Sequence, residues 1–247
     1  MIELLAVIAI IAILAALLLP TLAKAKARSK STYCLNTLKQ LQLGWKQYET
    51  ENNGSFPVNT SRVVAGLLES ISNSWVLGNA QYDADATNIT SGSLYPEVNS
   101  PSVYHCPADQ ATLKGKASVP RLRSYSVEGW LGANFNYNDG WFWPNPLTVP
   151  PTYMFKTRES TLTQPGPADV FVFIDDDEQT IDDGIFVIGD VWYDCPADRH
   201  SQGANLTFLD GHVERHQWRK SRDASNWHRP TASDTDHDWL AAHLPMK

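Results

Sequence analysis

Charge is almost absent from the first nineteen residues, Met1 to Leu19, where Glu3 is the only ionisable side chain. The basic start, the shorter apolar stretch and the small-x-small cleavage site of a secretory signal are also lacking. An apolar run of this length can cross a bilayer core, which takes roughly 20 residues at about 1.5 Å per residue. These absences favour a transmembrane helix over a cleaved signal peptide.

Glu3 is a candidate functional residue because an isolated acid in an apolar helix is costly in lipid and calls for a specific partner. Pro20 follows the apolar run, and its missing N–H and its ring predict a bend in a helix that otherwise continues. Beyond it, four basic residues lie within seven positions, which by the positive-inside rule alone would place the following chain in the cytoplasm. These residues are Lys24, Lys26, Arg28 and Lys30.

Basic residues are scarce in the distal part of the chain. Of 27 acidic and 20 basic residues, three and six precede Asn53, so 24 acidic and 14 basic residues remain, a net charge of −10. Nucleic-acid binding draws on clustered basic residues and is therefore not expected. An acidic body of this kind suits calcium or a cationic surface.

Cysteines are few: Cys34, Cys106 and Cys195. No pair has a spacing such as C-x2-C, which argues against a structural zinc site. All three lie beyond the apolar run, where an oxidising compartment would pair two of them and leave one buried thiol.

Catalytic motifs are also absent. The chain has no phosphate loop, no nucleophile motif and no H-E-x-x-H, so an enzyme is not expected. A hydrolase built on His200 and Asp210 is the alternative, but a structural role in which His200 ties its loop to the following turn is preferred. The paired positions His212 and His216 could hold zinc or copper, although exposed strand positions explain them better.

The densest acidic run, from Asp175 to Asp183, falls between two predicted strands. Hard oxygen ligands on a loop suit Ca²⁺, with Asp175, Asp176 and Asp183 as the predicted carboxylates. The spacing is not that of an EF-hand, and a solvated acidic turn explains the run equally well.

Glycine and proline are missing between Thr21 and Asn52, apart from Gly44. Apolar residues recur there at spacings of three and four, which predicts an amphipathic helix that ends at Asn52-Asn53-Gly54. A coiled-coil stalk is the alternative, but two heptads are short for it. The predicted organisation is a membrane helix (1–22), its amphipathic extension (23–52) and a globular domain (53–247). The apolar positions of the extension are Cys34, Leu38, Leu41, Trp45 and Tyr48.

The globular part is predicted to be strand-rich after a loop-rich segment that contains one helix near Val63–Ile71. Asp210-Gly211 fits a type I′ turn and predicts that the last two strands pair. An aromatic, proline-rich loop at Asn138–Pro144 is interpreted as a hydrophobic flap, with a partner or sugar surface as the alternative. The predicted strands, from β-branched and aromatic content, are Arg123–Trp130, Val170–Ile174, Ile185–Tyr193, Ala204–Leu209 and His212–Trp218.

The segment Met1-Ile2-Glu3-Leu4-Leu5 resembles the N-terminus of type IV pilins and type II secretion pseudopilins. The resemblance implies that Glu3 pairs with the N-terminal amine of a neighbouring subunit during assembly and that Pro20 is the family's kinking proline. The family's basic leader, its cleavage glycine and its first two mature residues do not appear before Met1. We expect an upstream extension to supply them, and its basic leader would compete with the charges after Pro20 for orientation.

His200, followed after nine residues by Asp210-Gly211, is similar to the C-terminal H-x9-DG signature of a planctomycete and verrucomicrobial pilin-like family. The similarity extends to the helix around Cys34 and to Cys106-Pro107-x-Asp109. It implies an α+β pilin-like fold, in which a long N-terminal helix packs on a C-terminal antiparallel sheet with long loops. It also implies a disulfide between Cys34 and Cys106.

The resemblance implies a structural subunit of a type II secretion-like or type IV pilus-like filament. Its expected partners are other pilin subunits, prepilin peptidase, an inner-membrane assembly platform and membrane lipid. The expected location is the inner membrane, crossed once, with the C-terminal domain in the periplasm. A membrane-tethered periplasmic or surface carbohydrate-binding protein is the alternative. Glu3 distinguishes the two hypotheses, because a helix that only anchors a protein in the membrane does not need an acid in the span.

Overall fold

A computed structural model describes residues 2–133, 156–189, 191–222 and 229–245. The chain is α+β, with one long N-terminal helix and a C-terminal sheet. The helices are α1 (Ile2–Glu51), α2 (Thr87–Thr90), α3 (Tyr95–Val98) and α4 (Thr235–Ala242), with 3-10 turns at Pro101–Tyr104, Glu159–Thr161 and Pro167–Asp169. The strands are β1 (Ser61–Val64), β2 (Leu67–Ser70), β3 (Thr112–Leu113), β4 (Lys116–Pro120), β5 (Tyr125–Glu128), β6 (Phe171–Asp175), β7 (Ile185–Phe186), β8 (Gly203–Phe208) and β9 (Val213–Gln217).

Helix α1 is a single helix of 50 residues that runs through Pro20. It ends where Asn53 and Gly54 take positive φ angles of 56° and 77° and the Gly54 N–H donates to the Glu49 carbonyl at 2.7 Å. The predicted continuous helix and its stop at Asn52-Asn53-Gly54 are therefore confirmed to within a residue.

The two halves of α1 have different surroundings. Every residue from 7 to 29 is exposed, whereas one face from Cys34 onward is buried in the globular body. Gly44 allows α3 to approach closely, since a Cβ there would lie 2.6 Å from Val98 Cγ2. The fully buried apolar residues of this face are Cys34, Leu38, Leu41 and Trp45.

The main sheet has five strands in the order β7-β5-β6-β8-β9. Three neighbouring pairs are antiparallel, but β7 lies parallel to β5, so the sheet is mixed rather than purely antiparallel as predicted. The predicted strand Ile185–Tyr193 is wrong beyond Phe186, because the chain reverses and Ile188 forms an antiparallel bridge with Trp192.

Both faces of the sheet are buried. On β8, Ala204, Leu206 and Phe208 belong to a cluster that includes Leu240 of α4, as the period-two alternation of a strand dictates. The intervening Thr207 faces α1, and its hydroxyl donates a 2.7 Å hydrogen bond to Gln42 Oε1. Helix α1 thus covers one face of the sheet, and the C-terminal segment covers the other.

The predicted helix at Val63–Ile71 is wrong, because strands β1 and β2 form an antiparallel hairpin there. Its two-residue turn is Ala65-Gly66, with φ angles of 51° and 88°. Positive φ at both central residues is the geometry of a type I′ turn, whose backbone twist matches the twist of the two strands it connects. The apolar residues on either side of the turn happen to recur at helical spacing, which explains the error.

Strands β8 and β9 pair as predicted, with Thr207 opposite Val213. The turn differs from type I′: Gly211 has a φ of +96°, but Asp210 is not among the residues with positive φ. The Phe208 N–H donates to the His212 carbonyl, and the Gly211 N–H donates to the Phe208 carbonyl. Leu209, Asp210 and Gly211 therefore form a three-residue loop whose last residue has left-handed backbone angles. Such loops are the commonest hairpin connections after the two-residue type I′ and II′ turns.

Candidate functional site

Four potential ligand side chains meet in the core between α1 and the sheet. Cys34 comes from α1, Cys106 from the loop after the 3-10 turn Pro101–Tyr104, Asp175 from the end of β6 and His200 from the loop before β8. Their ligand atoms all lie within 4.8 Å of one another, and all four residues are buried. We call these four residues the buried ligand cluster.

His200 is the centre of the buried ligand cluster. Its Nε2 lies 3.1 Å from Asp175 Oδ2 and 3.2 Å from Cys106 Sγ. Cys34 Sγ lies 4.0 Å from the same carboxylate oxygen. Both cysteines are free thiols. The structure thus brings the two cysteines of the predicted disulfide together without a bond between them, and the disulfide stays a prediction.

Arg199 and Tyr125 surround the buried ligand cluster and contact its members. Arg199 donates from Nε at 3.1 Å and from Nη2 at 2.9 Å to Asp175 Oδ1, which leaves Oδ2 facing His200. The Tyr125 hydroxyl lies 3.2 Å from Cys34 Sγ and 2.9 Å from Thr37 Oγ1. The carboxylate and one thiol are therefore oriented by partners outside the cluster.

Burial and neighbouring charges act in opposite directions on the ionisation of the cluster. Burial alone would raise the pKa of Asp175, but Arg199 and His200 lower it below its ordinary value. Burial would lower the pKa of His200, but hydrogen bonds and charges from Asp175 and Cys106 raise it to about 9. At neutral pH an imidazolium therefore faces an aspartate carboxylate.

The two thiols differ in acidity. The hydrogen bond with Cys34, helped by a hydrogen bond with His200 and the charge of Arg199, lowers the pKa of Cys106 to about 7 against the opposing effects of burial and of the Asp175 charge. Burial raises the pKa of Cys34 well above its ordinary value. Since the thiolate is the form that binds metals and attacks electrophiles, Cys106 is the more reactive sulfur of the pair.

The H-x9-DG residues do not form one site. His200 lies before β8 and Asp210-Gly211 after it, separated by a strand of six residues, or about 20 Å at about 3.3 Å per residue. Asp210 instead accepts a 2.9 Å hydrogen bond from the His212 N–H, and Lys39 of α1 donates to the Gly211 carbonyl. The expected tie between His200 and the turn is therefore wrong, and the Asp210-Gly211 turn is held to α1 instead.

The three predicted calcium carboxylates have separate protein partners. Asp176 accepts from Ser126 at 2.7 Å and from Thr180 at 3.2 Å, and Asp183 accepts from the Ile185 N–H at 2.7 Å. Both are buried, as is Asp175, so the alternative of a solvated acidic turn does not hold for them. Burial raises the pKa of Asp176 and of Asp183. Calcium at this run stays a prediction.

Other singled-out residues lie apart from the cluster. Cys195 is buried on the far face of the sheet with Trp192 and Leu206. His216 stacks on Trp239 with ring centroids 3.6 Å apart, and His212 stacks on Phe208 at 4.2 Å. These contacts give the two histidines packing partners. The aromatic loop Asn138–Pro144 and the side chain of Glu3 lie outside the described residues.

Sequence reasoning missed Arg199 and Tyr125 as parts of the site. Arg199 pairs with Asp175 and, at 2.8 Å, with Glu178. A buried strand that ends in consecutive acids requires a cation nearby, and an arginine next to the motif histidine was the available signal. Tyr125 carried no such signal, because aromatic residues in strands are ordinary core residues. No protein-family model, curated protein or solved structure matches this chain.

Proposed function

We propose that this chain is a structural subunit, a pseudopilin, of a type II secretion-like or type IV pilus-like filament, anchored in the inner membrane before assembly. The observation that carries the proposal is the division of α1. Its distal half is part of the core of a folded domain, while its proximal half projects as an apolar rod with no partner among the described residues.

The rod exposes large apolar side chains on all sides. Leu4, Ile11 and Leu18 are 69%, 59% and 65% exposed, and every residue from 7 to 29 is exposed. By length and composition this helix could cross a membrane. An apolar surface of this extent needs lipid or other apolar helices around it. A filament subunit uses both in turn, lipid before assembly and neighbouring subunits after it.

The continuity of α1 supports assembly over simple anchoring. A tether requires a span and a linker, whereas here the span continues as helix into the core without a break at 23–33. The rod and the buried half of α1 are thus one helix with no linker between them, which suits the stacking of identical subunits. Glu3 adds a charge that a tether does not need and that the amine of a neighbouring subunit would neutralise.

The proposed partners are other subunits through the rod, prepilin peptidase acting on a leader upstream of Met1, the inner-membrane assembly platform and lipid. The globular domain is proposed to lie in the periplasm, and its role is structural rather than catalytic. Nucleic acid is not among the proposed partners. The alternative is a carbohydrate-binding protein with an aromatic and acidic surface that recognises polysaccharide, and its aromatic loop Asn138–Pro144 lies outside the described residues.

The substitution Glu3→Gln tests the proposal because it removes the charge and keeps the shape. We expect unchanged membrane insertion and an unchanged folded domain but loss of incorporation into filaments, measured by subunit crosslinking in cells. An unpaired buried charge left on the neighbouring subunit costs roughly 3–5 kcal/mol, enough to abolish assembly.

The matched control is Glu51→Gln at the other end of α1, where the exposed carboxylate accepts a 3.1 Å hydrogen bond from Gln47 of the same helix. This control should assemble normally. Normal crosslinking in Glu3→Gln would overturn the proposal and favour a membrane-tethered protein.

A further inference from the structure

The buried ligand cluster has no role in a filament contact, since all four residues lie inside one subunit. Polar and ionisable groups are costly to bury, and an apolar core would pack α1 on the sheet more cheaply. The feature that distinguishes the cluster from an ordinary buried ion pair is the convergence of two sulfurs, one imidazole nitrogen and one carboxylate oxygen on a single point.

The separations of these atoms lie within about half an ångström of those in a tetrahedral metal centre. Bonds of about 2.3 Å to sulfur and about 2.0–2.2 Å to nitrogen and oxygen place neighbouring ligand atoms roughly 3.3–3.8 Å apart. The observed separations are 3.1 Å between His200 and Asp175, 3.2 Å between Cys106 and His200 and 4.0 Å between Cys34 and Asp175. We propose that Cys34 Sγ, Cys106 Sγ, Asp175 Oδ2 and His200 Nε2 bind one zinc ion.

The charges around the cluster suit a divalent ion. Two thiolates and one carboxylate bring three negative charges, and zinc contributes two positive charges. The Arg199 guanidinium on Asp175 Oδ1 supplies a third, which it shares with Asp109 and Glu178. Metal binding releases the proton of the imidazolium and any protons that the two thiols still carry, and these protons pass to solvent. No oxidation or reduction takes place in this step.

The surrounding residues fix the ligands as outer-shell partners of a metal do. Arg199 occupies Oδ1, so Asp175 can bind through Oδ2 alone. The Tyr125 hydroxyl lies 3.2 Å from Cys34 Sγ, where it can donate to the thiolate. Such outer-shell partners orient the ligands and raise affinity, and their loss typically costs 10–100-fold in metal binding.

The donor atoms select the metal. Calcium takes six to eight oxygen ligands, whereas two thiolates and an imidazole suit zinc. A disulfide between Cys34 and Cys106 would consume both sulfurs, so disulfide and zinc exclude each other at this site.

The consequence for the protein is a metal clip between α1 and the globular body. The ligands come from α1, β6 and two loops, so zinc joins the helix to three other segments of the chain. Binding energy at such a site becomes folding energy, because the unfolded chain does not hold the four ligands together. This inference does not depend on the proposed filament function.

The test uses the full chain purified in detergent without reductant or chelator. We expect about one zinc per chain by elemental analysis in the wild type and in Cys195→Ala, whose thiol lies on the other face of the sheet, and almost none in Cys106→Ser. After exchange with Co²⁺, the wild type should show the thiolate-to-cobalt charge-transfer band and the visible bands of a tetrahedral site.

Two measurements keep the test decisive if Cys106→Ser fails to fold. The variant Tyr125→Phe retains all four ligands and should bind zinc roughly 10–100-fold more weakly than the wild type. In the wild type itself, a chelator should speed alkylation of Cys34 and Cys106 and lower the melting temperature, with no direct effect on Cys195 below unfolding.

Absence of zinc from the wild type, together with no uptake of Zn²⁺ or Co²⁺ by the folded protein, would overturn the proposal. Peptide mapping that finds Cys34 bonded to Cys106 in the native protein would overturn it as well. Equal zinc content in Cys106→Ser and the wild type would also do so. None of these results bears on assembly through the N-terminal rod.

Discussion

Replacing Leu38 by Ala tests whether the distal half of α1 is a core element of the globular domain. Leu38 is fully buried in the cluster between α1 and the sheet, together with Trp45 and Phe173. The loss of three side-chain carbons, equivalent to three methylene groups, costs about 2.4 kcal/mol at about 0.8 kcal/mol each, before any cavity is counted. With the cavity, buried Leu→Ala substitutions cost roughly 2–5 kcal/mol.

The matched control is Leu43→Ala, because Leu43 lies in the same helix and is 57% exposed. The helix propensity change is identical in the two variants, so the difference between them isolates burial. Exposed substitutions usually stay within about 0.5 kcal/mol. At about 2–4 °C per kcal/mol for a domain of this size, Leu38→Ala should lower the melting temperature by roughly 4–20 °C and Leu43→Ala by no more than about 2 °C.

The assay is thermal unfolding of the full chain in detergent, followed by tryptophan fluorescence, since Trp45 and Trp75 are buried in the same cluster. Equal melting temperatures for the two variants would refute the packing described for α1. A larger decrease in melting temperature for Leu43→Ala than for Leu38→Ala would mean that the Leu43 face of α1, rather than the Leu38 face, lies in the core.

Two further substitutions probe buried polar contacts. Thr207→Val removes the 2.7 Å hydrogen bond to Gln42 Oε1 and also the acceptor of the 3.0 Å hydrogen bond from the Phe173 N–H, so it should cost at least roughly 1–3 kcal/mol. A double-mutant cycle with Gln42→Leu isolates the Gln42 contact, and simple additivity would contradict that contact. Burial would raise the pKa of Asp234, but its ion pair with Arg222 lowers it to about 2 from the ordinary 3.8, so its contribution to stability is present above about pH 4 and is lost as the pH falls toward about 2. The difference in melting temperature between wild type and Asp234→Asn should therefore be constant from about pH 5 to 7 and shrink below about pH 4, and a difference independent of pH would contradict the ion pair.

The elements that the sequence predicts correctly are those with a periodic pattern over many residues or a short motif within one turn. Helix α1 has apolar residues at helical spacing over several turns and few helix breakers, and the β8–β9 hairpin has Asp210-Gly211 between two strand-like runs. The segment at Val63–Ile71 failed because two short strands and a two-residue turn reproduce helical spacing by chance. Strand β7 was predicted too long because apolar content continues into the reversal at Ile188.

The candidate site was hidden from the sequence for a physical reason. Cys34 and Asp175 are 141 residues apart and Cys106 and His200 are 94 apart, so no local spacing reports their convergence. Zinc motifs such as C-x2-C are readable only when two ligands share a turn. Here each ligand sits on a different segment, and only the packing of α1 against β6 and β8 brings them together.

The most direct measurement of assembly through the N-terminal rod places a photoactivatable crosslinker at Leu14, which is 54% exposed, in the full chain in its native cells. We predict a ladder of covalent multimers of this chain on illumination, because identical rods pack side by side in a filament. The same probe at Tyr82, 41% exposed on the globular body, provides the comparison position. Assembly through the rod predicts that the Leu14 ladder disappears in Glu3→Gln while the amount of this chain in the membrane stays constant. If illumination of the Leu14 variant leaves only monomer, that result would contradict assembly through the rod.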